Sequence, residues 1–148
     1  MRLNLPEYDF KIKKSDDTYA IYDLLRKRYV ALTSEEWVRQ NFVQYLINER
    51  NFPIALMANE VSLNQNGIKR RCDTLVADRM GHPFVIVEYK APQIQITQST
   101  FDQIVRYNMV LHAQYLIVSN GLTHYCCKID YEANSYSFLN DIPEYSEL

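Results

Sequence analysis

The stretch that most constrains the fold is a run of β-branched and aromatic residues ending in charges, Phe84-Val85-Ile86-Val87-Glu88-Tyr89-Lys90. This composition predicts a largely buried β-strand. Because strand side chains alternate between faces, Glu88 and Lys90 are expected on one side of the sheet and Tyr89 on the other. An acid two residues before a lysine is weak evidence alone, since residues 9–11 repeat the spacing. Without further context, a surface ion pair is the simplest interpretation.

The strands before and after this stretch are predicted from turn signals. Asn66-Gly67 favours a two-residue hairpin turn, which joins strands over 56–64 and 69–77. With residues 84–90 these strands form a three-stranded meander. The later elements are a helix over residues 97–112 and strands over 115–119, 122–129 and 136–139.

A helix before the meander is predicted from its first turn. Thr33-Ser34-Glu35-Glu36 matches a capping box, with Thr33 as the N-cap, and the helix should end near residues 51–53. We expect one domain, with an extended arm or hairpin over 1–32, a core over 33–129 and a C-terminal strand and tail over 130–148. The element order predicts a mixed α/β fold.

Composition excludes several classes of protein. The chain has 148 residues, 16 Lys+Arg and 18 Asp+Glu, hence a net charge of −2, and only three cysteines. A polycationic nucleic-acid binder would have a pI above about 9, whereas this chain has a pI of about 5.9. The cysteines are too few for a disulfide scaffold, and no stretch reaches the roughly 20 apolar residues of a membrane span. These features predict a cytoplasmic protein with no membrane partner.

Two carboxylates could meet at the end of the meander. Asp73 lies on the strand that pairs with the strand of Glu88, and a hairpin at residues 78–83 brings the two acids to a similar level. Adjacent carboxylates repel unless a proton or cation lies between them, and a hard divalent metal is the natural occupant. Lys90 would neutralise charge there and orient or activate a water. This combination is typical of phosphodiester hydrolysis.

Other polar residues each have a structural and a functional interpretation. Gln103 and Tyr107 are four apart on one helix face, and could bind a phosphate, an active-site lysine or a water. Alternatively, Gln103 completes a capping box with Thr100, and Tyr107 is a half-buried ring. Glu36 is either a capping residue or an auxiliary acid, and Glu60 is a second candidate acid.

A basic triplet, Lys69-Arg70-Arg71, comes directly before Cys72 and Asp73. These side chains could track a backbone phosphate of a nucleic acid. The sequence alone favours the simpler interpretation that they form a solvated strand end.

In order along the chain, Glu36, Asp73, Glu88-Tyr89-Lys90 and Gln103-Ile104-Val105-Arg106-Tyr107 resemble the motifs of the PD-(D/E)XK nuclease superfamily. The Gln-x-x-x-Tyr spacing is similar to that of its RecB-like branch. The wider sequence resembles the N-terminal nuclease domain of type I restriction enzyme R proteins. The similar stretches are residues 32–40, 71–76, 87–92 and 119–121. One departure is Cys72, which stands where the motif has its proline.

The resemblance implies a restriction-endonuclease-like core, with a mixed central β-sheet flanked by helices in the order αβββαβ. It implies that Asp73 and Glu88 bind Mg²⁺, with Mn²⁺ as a substitute, and that Lys90 is the catalytic lysine. It also implies support from Gln103, Tyr107 and Glu36, the last from the first helix.

The resemblance further implies DNA as the substrate and a restriction-system or helicase protein as a partner. A homodimer is expected if both strands are to be cut. The alternative function is a module that retains the nuclease fold and binds nucleic acid or a partner without cutting.

Overall fold

Two β-sheets and two long helices make up the fold in a computed structural model that describes residues 1–148. The N-terminal part consists of β1 (Ile12–Ser15), β2 (Thr18–Asp23), β3 (Arg28–Ala31) and α1 (Ser34–Arg50). The rest consists of β4 (Met57–Gln65), β5 (Ile68–Ala77), β6 (Pro83–Tyr89), α2 (Gln98–Met109), β7 (Tyr115–Ser119), β8 (His124–Asp130) and β9 (Ser135–Phe138). Short 3-10 helices lie at Ile54–Leu56 and Tyr145–Glu147.

The larger sheet has six strands in the order β4-β5-β6-β7-β8-β9. All neighbouring pairs are antiparallel except β6 and β7, which are parallel. Parallel neighbours need a crossover connection, and α2 provides it between β6 and β7. The predicted mixed α/β fold and the meander β4-β5-β6 are therefore confirmed.

The smaller sheet has the order β1-β2-β3, with both pairs antiparallel. It occupies the region where the sequence predicts an arm or hairpin. The structure adds β3 as a third strand, which pairs with β2 directly before α1.

The two faces of the larger sheet are covered by different helices. On one face, α1 packs its buried residues against Val85 and Val87 of β6. On the other face, Phe101 and Val105 of α2 belong to a cluster that contains Ile86. The alternation of β6 side chains therefore directs Glu88, two residues after Ile86, to the face of α2.

The helix starts follow the expected capping chemistry with one correction. The Thr33 hydroxyl accepts a hydrogen bond from Glu36 N at 3.0 Å, as predicted for the N-cap of α1. In α2 the N-cap is Thr97, whose hydroxyl accepts from Thr100 N at 3.2 Å, so Gln103 is an interior residue of the helix. The capping interpretation of Gln103 is therefore wrong.

Neither helix combines the length and the apolar character needed to cross a membrane.

The turn between β7 and β8 makes a close contact with the N-terminal segment. Gly121 has a φ of +85°, and a Cβ atom there would lie 2.7 Å from Leu3 Cδ2 and 3.2 Å from Val38 Cγ2. Asn4 N also donates to Gly121 O at 2.8 Å. This position requires glycine both for its conformation and for its packing.

We expect Gly121→Ala to destabilise the protein more than Gly67→Ala. Both glycines have positive φ, so each substitution costs about 1–2 kcal/mol of backbone strain. Only Gly121 has neighbours within 4 Å, the movable end of the Leu3 side chain and the buried Val38, so overpacking adds the lower end of about 1–3 kcal/mol there. Urea unfolding of both variants measures the difference, and equal losses would contradict the close approach of Leu3.

Candidate active site

A cleft of about 410 Å³ opens between the middle of β5, the C-terminal end of β6 and the exposed face of α2. Its lining residues are Arg71, Asp73, Glu88, Lys90, Gln103, Ile104, Tyr107 and Asn108. Five residues that the sequence singles out for chemistry are thus brought together from three elements and the loop after β6. The two other candidate acids, Glu36 and Glu60, are not among the lining residues.

The position of Asp73 is set by the sheet. The regular pairing of β5 with β6 reaches Thr74–Val87, and Asp73 is the next residue on its strand. Its Oδ2 accepts a hydrogen bond from Tyr89 N at 2.9 Å, as a strand carbonyl would in a continued ladder. A backbone amide therefore holds this carboxylate at the edge of the cleft.

Glu88 faces Asp73 across the two strands. Burial, and then the charge of Asp73, raise the pKa of Glu88 well above its usual range, while the side chain of Asn108 and the charge of Lys90 act in the opposite direction. Two acids are thus close enough to repel each other. The structure brings them together on one face, as the strand pairing predicts.

The donor set suits a hard divalent cation. Asp73 and Glu88 offer carboxylate oxygens, and the buried Asn108 Oδ1 has no hydrogen-bond partner. No group of three or more His, Cys, Asp or Glu residues is placed to hold a metal ion. A site with only a few oxygen donors fits Mg²⁺, because this ion keeps several of its waters when it binds to a protein.

The remaining predicted residues lie around the rim. Lys90 is half-buried just after β6, where its backbone N donates to Ser119 O at 2.9 Å. Gln103 is exposed, and the Tyr107 side chain one turn later is 44% exposed. The Arg70 guanidinium lies 4.4 Å from the centre of the Tyr107 ring.

Glu36 takes part in a buried ion cluster instead. Arg26 Nη2 lies 2.8 Å from both carboxylate oxygens of Glu36, and Gln40 Nε2 donates to Oε2 at 2.9 Å. Arg26 also pairs with Asp23. Glu36 therefore links α1 to the turn between β2 and β3.

Glu60, the other candidate acid, is also occupied by ion pairs. Its Oε1 accepts from Arg39 Nη2 at 2.6 Å, and its Oε2 pairs with Arg71. Arg71 is the one partner that also lines the cleft. Glu60 thus supports the cleft wall through Arg71.

Glu35, which the sequence interpretation did not consider as a site residue, responds to charges of the cleft. Partial burial and then the charge of Asp73 raise the pKa of Glu35, whereas Arg39 and Lys90 act against this rise. Glu35 is therefore within electrostatic reach of the cleft. No local signal separates Glu35 from Glu36, because both are acids of the first turn of α1.

A mixed six-stranded sheet, with α1 and α2 beside it and with one acid in the middle of β5 and one near the end of β6, defines a restriction-endonuclease-like fold. The chain belongs to the family described as type I restriction enzyme R protein N terminus, whose family model matches residues 34–143. It is therefore related to the R subunits of type I restriction enzymes.

A solved structure supports the fold. It is a fragment of a putative HsdR subunit of a type I restriction enzyme from Vibrio vulnificus YJ016, with a TM-score of 0.56 and 20% sequence identity. The match covers 79% of this chain and 24% of that chain. No curated protein matches the chain.

Replacing Glu36 by alanine should destabilise the protein, whereas Glu35→Ala should have little effect on stability. The first change removes one of the two acidic partners of the partly buried Arg26, and an acid that also lies 3.4 Å from Nε of the buried Arg39. Breaking a buried ion pair costs about 3–5 kcal/mol. We expect the lower end of this range because Asp23 remains paired with Arg26. Urea unfolding followed by the fluorescence of the single tryptophan, Trp37, measures both variants. Similar midpoints for the two variants would contradict the assignment.

Proposed function

We propose that this chain is a metal-dependent DNA nuclease domain of the PD-(D/E)XK type, which hydrolyses phosphodiester bonds. The observation that carries the proposal is the convergence of Asp73, Glu88, Lys90, Gln103 and Tyr107 on one cleft. These residues come from β5, the end of β6 and α2, so no local pattern requires them to meet. The family relation supports type I restriction as the setting.

Asp73 and Glu88 are the proposed ligands for Mg²⁺, or for Mn²⁺ in its place, and Asn108 is a further residue of the cleft lining. A bound divalent cation would supply positive charge to the phosphate in the transition state. The amide of Tyr89 holds Asp73 in a fixed position, so the acidic edge of the cleft is already organised. Fixed donors and charges stabilise a transition state without reorganising during the reaction.

Lys90, Gln103 and Tyr107 are the proposed contacts for the scissile phosphate. The Lys90 ammonium stabilises negative charge on the phosphate oxygens and orients the attacking water. Gln103 and Tyr107 project from one exposed face of α2, where an amide and a hydroxyl can donate hydrogen bonds to the same phosphate.

Glu35, rather than Glu36, is the proposed auxiliary acid. The charges of Asp73 and Lys90 both affect the pKa of Glu35, whereas both carboxylate oxygens of Glu36 accept hydrogen bonds from Arg26. A carboxylate in this position can accept a hydrogen bond from the Lys90 ammonium and fix its direction.

The proposed partners follow from the function and the family. DNA is the proposed substrate, and a restriction-system protein with a helicase motor is a proposed partner. A single cleft cuts one strand, so we propose that two copies of the chain act together when both strands are cut.

Lys90→Ala should lower DNA cleavage by at least about 100-fold, because it removes one fixed source of positive charge at the transition state. Supercoiled plasmid DNA is incubated with the protein in Mg²⁺ or Mn²⁺, and with EDTA as the metal-free control. Lys128→Ala removes an exposed lysine from β8 and should keep the wild-type rate. Equal cleavage by wild type and Lys90→Ala, or no cleavage by wild type with either metal, would refute the proposed activity.

Mn²⁺ should raise the melting temperature of the wild type but not that of Asp73→Asn. Asparagine keeps an oxygen that accepts from Tyr89 N, so the substitution removes the charge and retains the hydrogen bond. At about 100 times its dissociation constant, a ligand adds about 2.7 kcal/mol to the free energy of unfolding. Asp17→Asn, in the turn between β1 and β2, is the matched control and should respond as the wild type does. An equal shift in all three proteins would place the bound metal elsewhere.

A further inference from the structure

The outer half of the β4–β5 hairpin extends past the cleft and carries only positive charge. β5 pairs with β6 only between Thr74 and Ala77, whereas it stays paired with β4 out to Gln65–Ile68. Residues 61–72 contain Lys69, Arg70 and Arg71 and no aspartate or glutamate. This segment is therefore strongly basic in a chain whose net charge is −2.

Arg70 is held in a defined position at the rim of the cleft. Its Nε donates to Tyr107 O at 2.8 Å, and its Nη1 donates to Lys69 O at 3.2 Å. The guanidinium packs over the Tyr107 ring, with 4.4 Å between the guanidinium carbon and the ring centre. A solvated strand end needs no such contacts. Stacking of this kind leaves the outer edge of a guanidinium free to bind an anion.

The three basic residues lead away from the acids of the cleft along one strand. Arg71 lines the cleft and is paired with Glu60. Arg70 and Lys69 follow further out, at about 3.3 Å per residue. Neither has an acidic partner within salt-bridge distance. Adjacent strand residues point to opposite faces, so a polyanion that extends from the cleft along this strand would have Arg70 on the α2 side of the strand and Lys69 on the other side.

We infer that the outer half of the β4–β5 hairpin, residues 61–72, binds the sugar-phosphate backbone of DNA beside the scissile position. Arg70, held by Tyr107, and Lys69 contact the phosphates next to the one in the cleft. This inference rests on the proposed function only in taking the cleft to hold a phosphodiester. Because phosphate contacts position a nucleic acid without reading its bases, binding through the hairpin is independent of sequence.

The test is DNA binding in EDTA, where cleavage plays no part. Fluorescence anisotropy of a labelled duplex, repeated with a second unrelated sequence, gives the affinity over a series of salt concentrations. Lys69→Ala/Arg70→Ala should weaken binding at low salt at least about 10-fold for both sequences. The slope of log K against log salt should become less negative by about 1.8, since each lost phosphate contact contributes about 0.9.

The matched control is Arg79→Ala/Lys128→Ala, which removes the same number of arginines and lysines. Arg79 lies in the turn after β5, at the far end of the strand from the hairpin tip, and Lys128 lies on β8. This control should keep the wild-type affinity and salt slope. Equal weakening in both double variants, an unchanged slope in the hairpin variant, or no binding by wild type at low salt would each overturn the inference.

The outcome is separable from that of the proposed function. If the hairpin variant loses binding but the wild type cuts no DNA with Mg²⁺ or Mn²⁺, the hairpin surface stands and the nuclease proposal fails. If the wild type cuts DNA while the hairpin variant binds normally, only the hairpin surface fails.

The role of the stacked ring is tested in the same assay. Tyr107→Phe keeps the ring beneath Arg70 and should retain most of the affinity, whereas Tyr107→Leu should weaken binding. Equal affinities of these two variants would show that the ring does not position Arg70.

Discussion

The fold depends on one buried guanidinium, that of Arg39 in the first long helix. Only 4% of this residue is exposed, and its Nη1 and Nη2 donate to Asp73 O at 2.9 Å and to Glu60 Oε1 at 2.6 Å. Its Nε lies 3.4 Å from Glu36 Oε2. A buried charge is tolerated only when it is paired and hydrogen-bonded, so helix and sheet must keep these acids in place around it. The hydrogen bond from Arg39 also fixes the backbone of Asp73, so this ion cluster helps to position the carboxylate that lines the cleft.

A second network, of buried hydrogen-bonded side chains, supports the strands that carry the cleft residues. Asn59 Nδ2 donates to Asp23 Oδ2 at 3.0 Å, and Asn59 Oδ1 accepts from the Thr74 hydroxyl at 2.6 Å. Since the Thr74 proton is used there, the Tyr89 hydroxyl donates to Thr74 at 2.8 Å. Tyr89 also fixes Asp73 through its backbone N–H. Satisfied polar networks of this kind make a core rigid, which a site that must orient charges requires.

Charge in this protein is local rather than global. The net charge of −2 excludes a polycationic binder, but the chain still has two neighbouring surfaces of opposite charge. The cleft brings Asp73 and Glu88 together, and the outer β4–β5 hairpin carries Lys69 and Arg70 beside it. The proposed nuclease needs acids to hold a cation and needs only a few bases to hold the phosphate backbone. Composition averages over both surfaces, so it could not distinguish this arrangement from an ordinary acidic domain.

The sequence by itself determined the features that depend on near neighbours. The Asn66-Gly67 turn, the Thr33 cap, the buried strand before Glu88 and the order of the site residues were all predictable, because turn chemistry and periodicity act over a few residues. Only the tertiary structure decided that β6 and β7 are parallel, and that Glu36 binds Arg26 while the charges of Asp73 and Lys90 act on Glu35. Adjacent helix residues differ by about 100° in direction, and their roles depend on partners far away in the chain. Whether a carboxylate serves a buried arginine or an open cleft is thus a property of packing that local patterns do not contain.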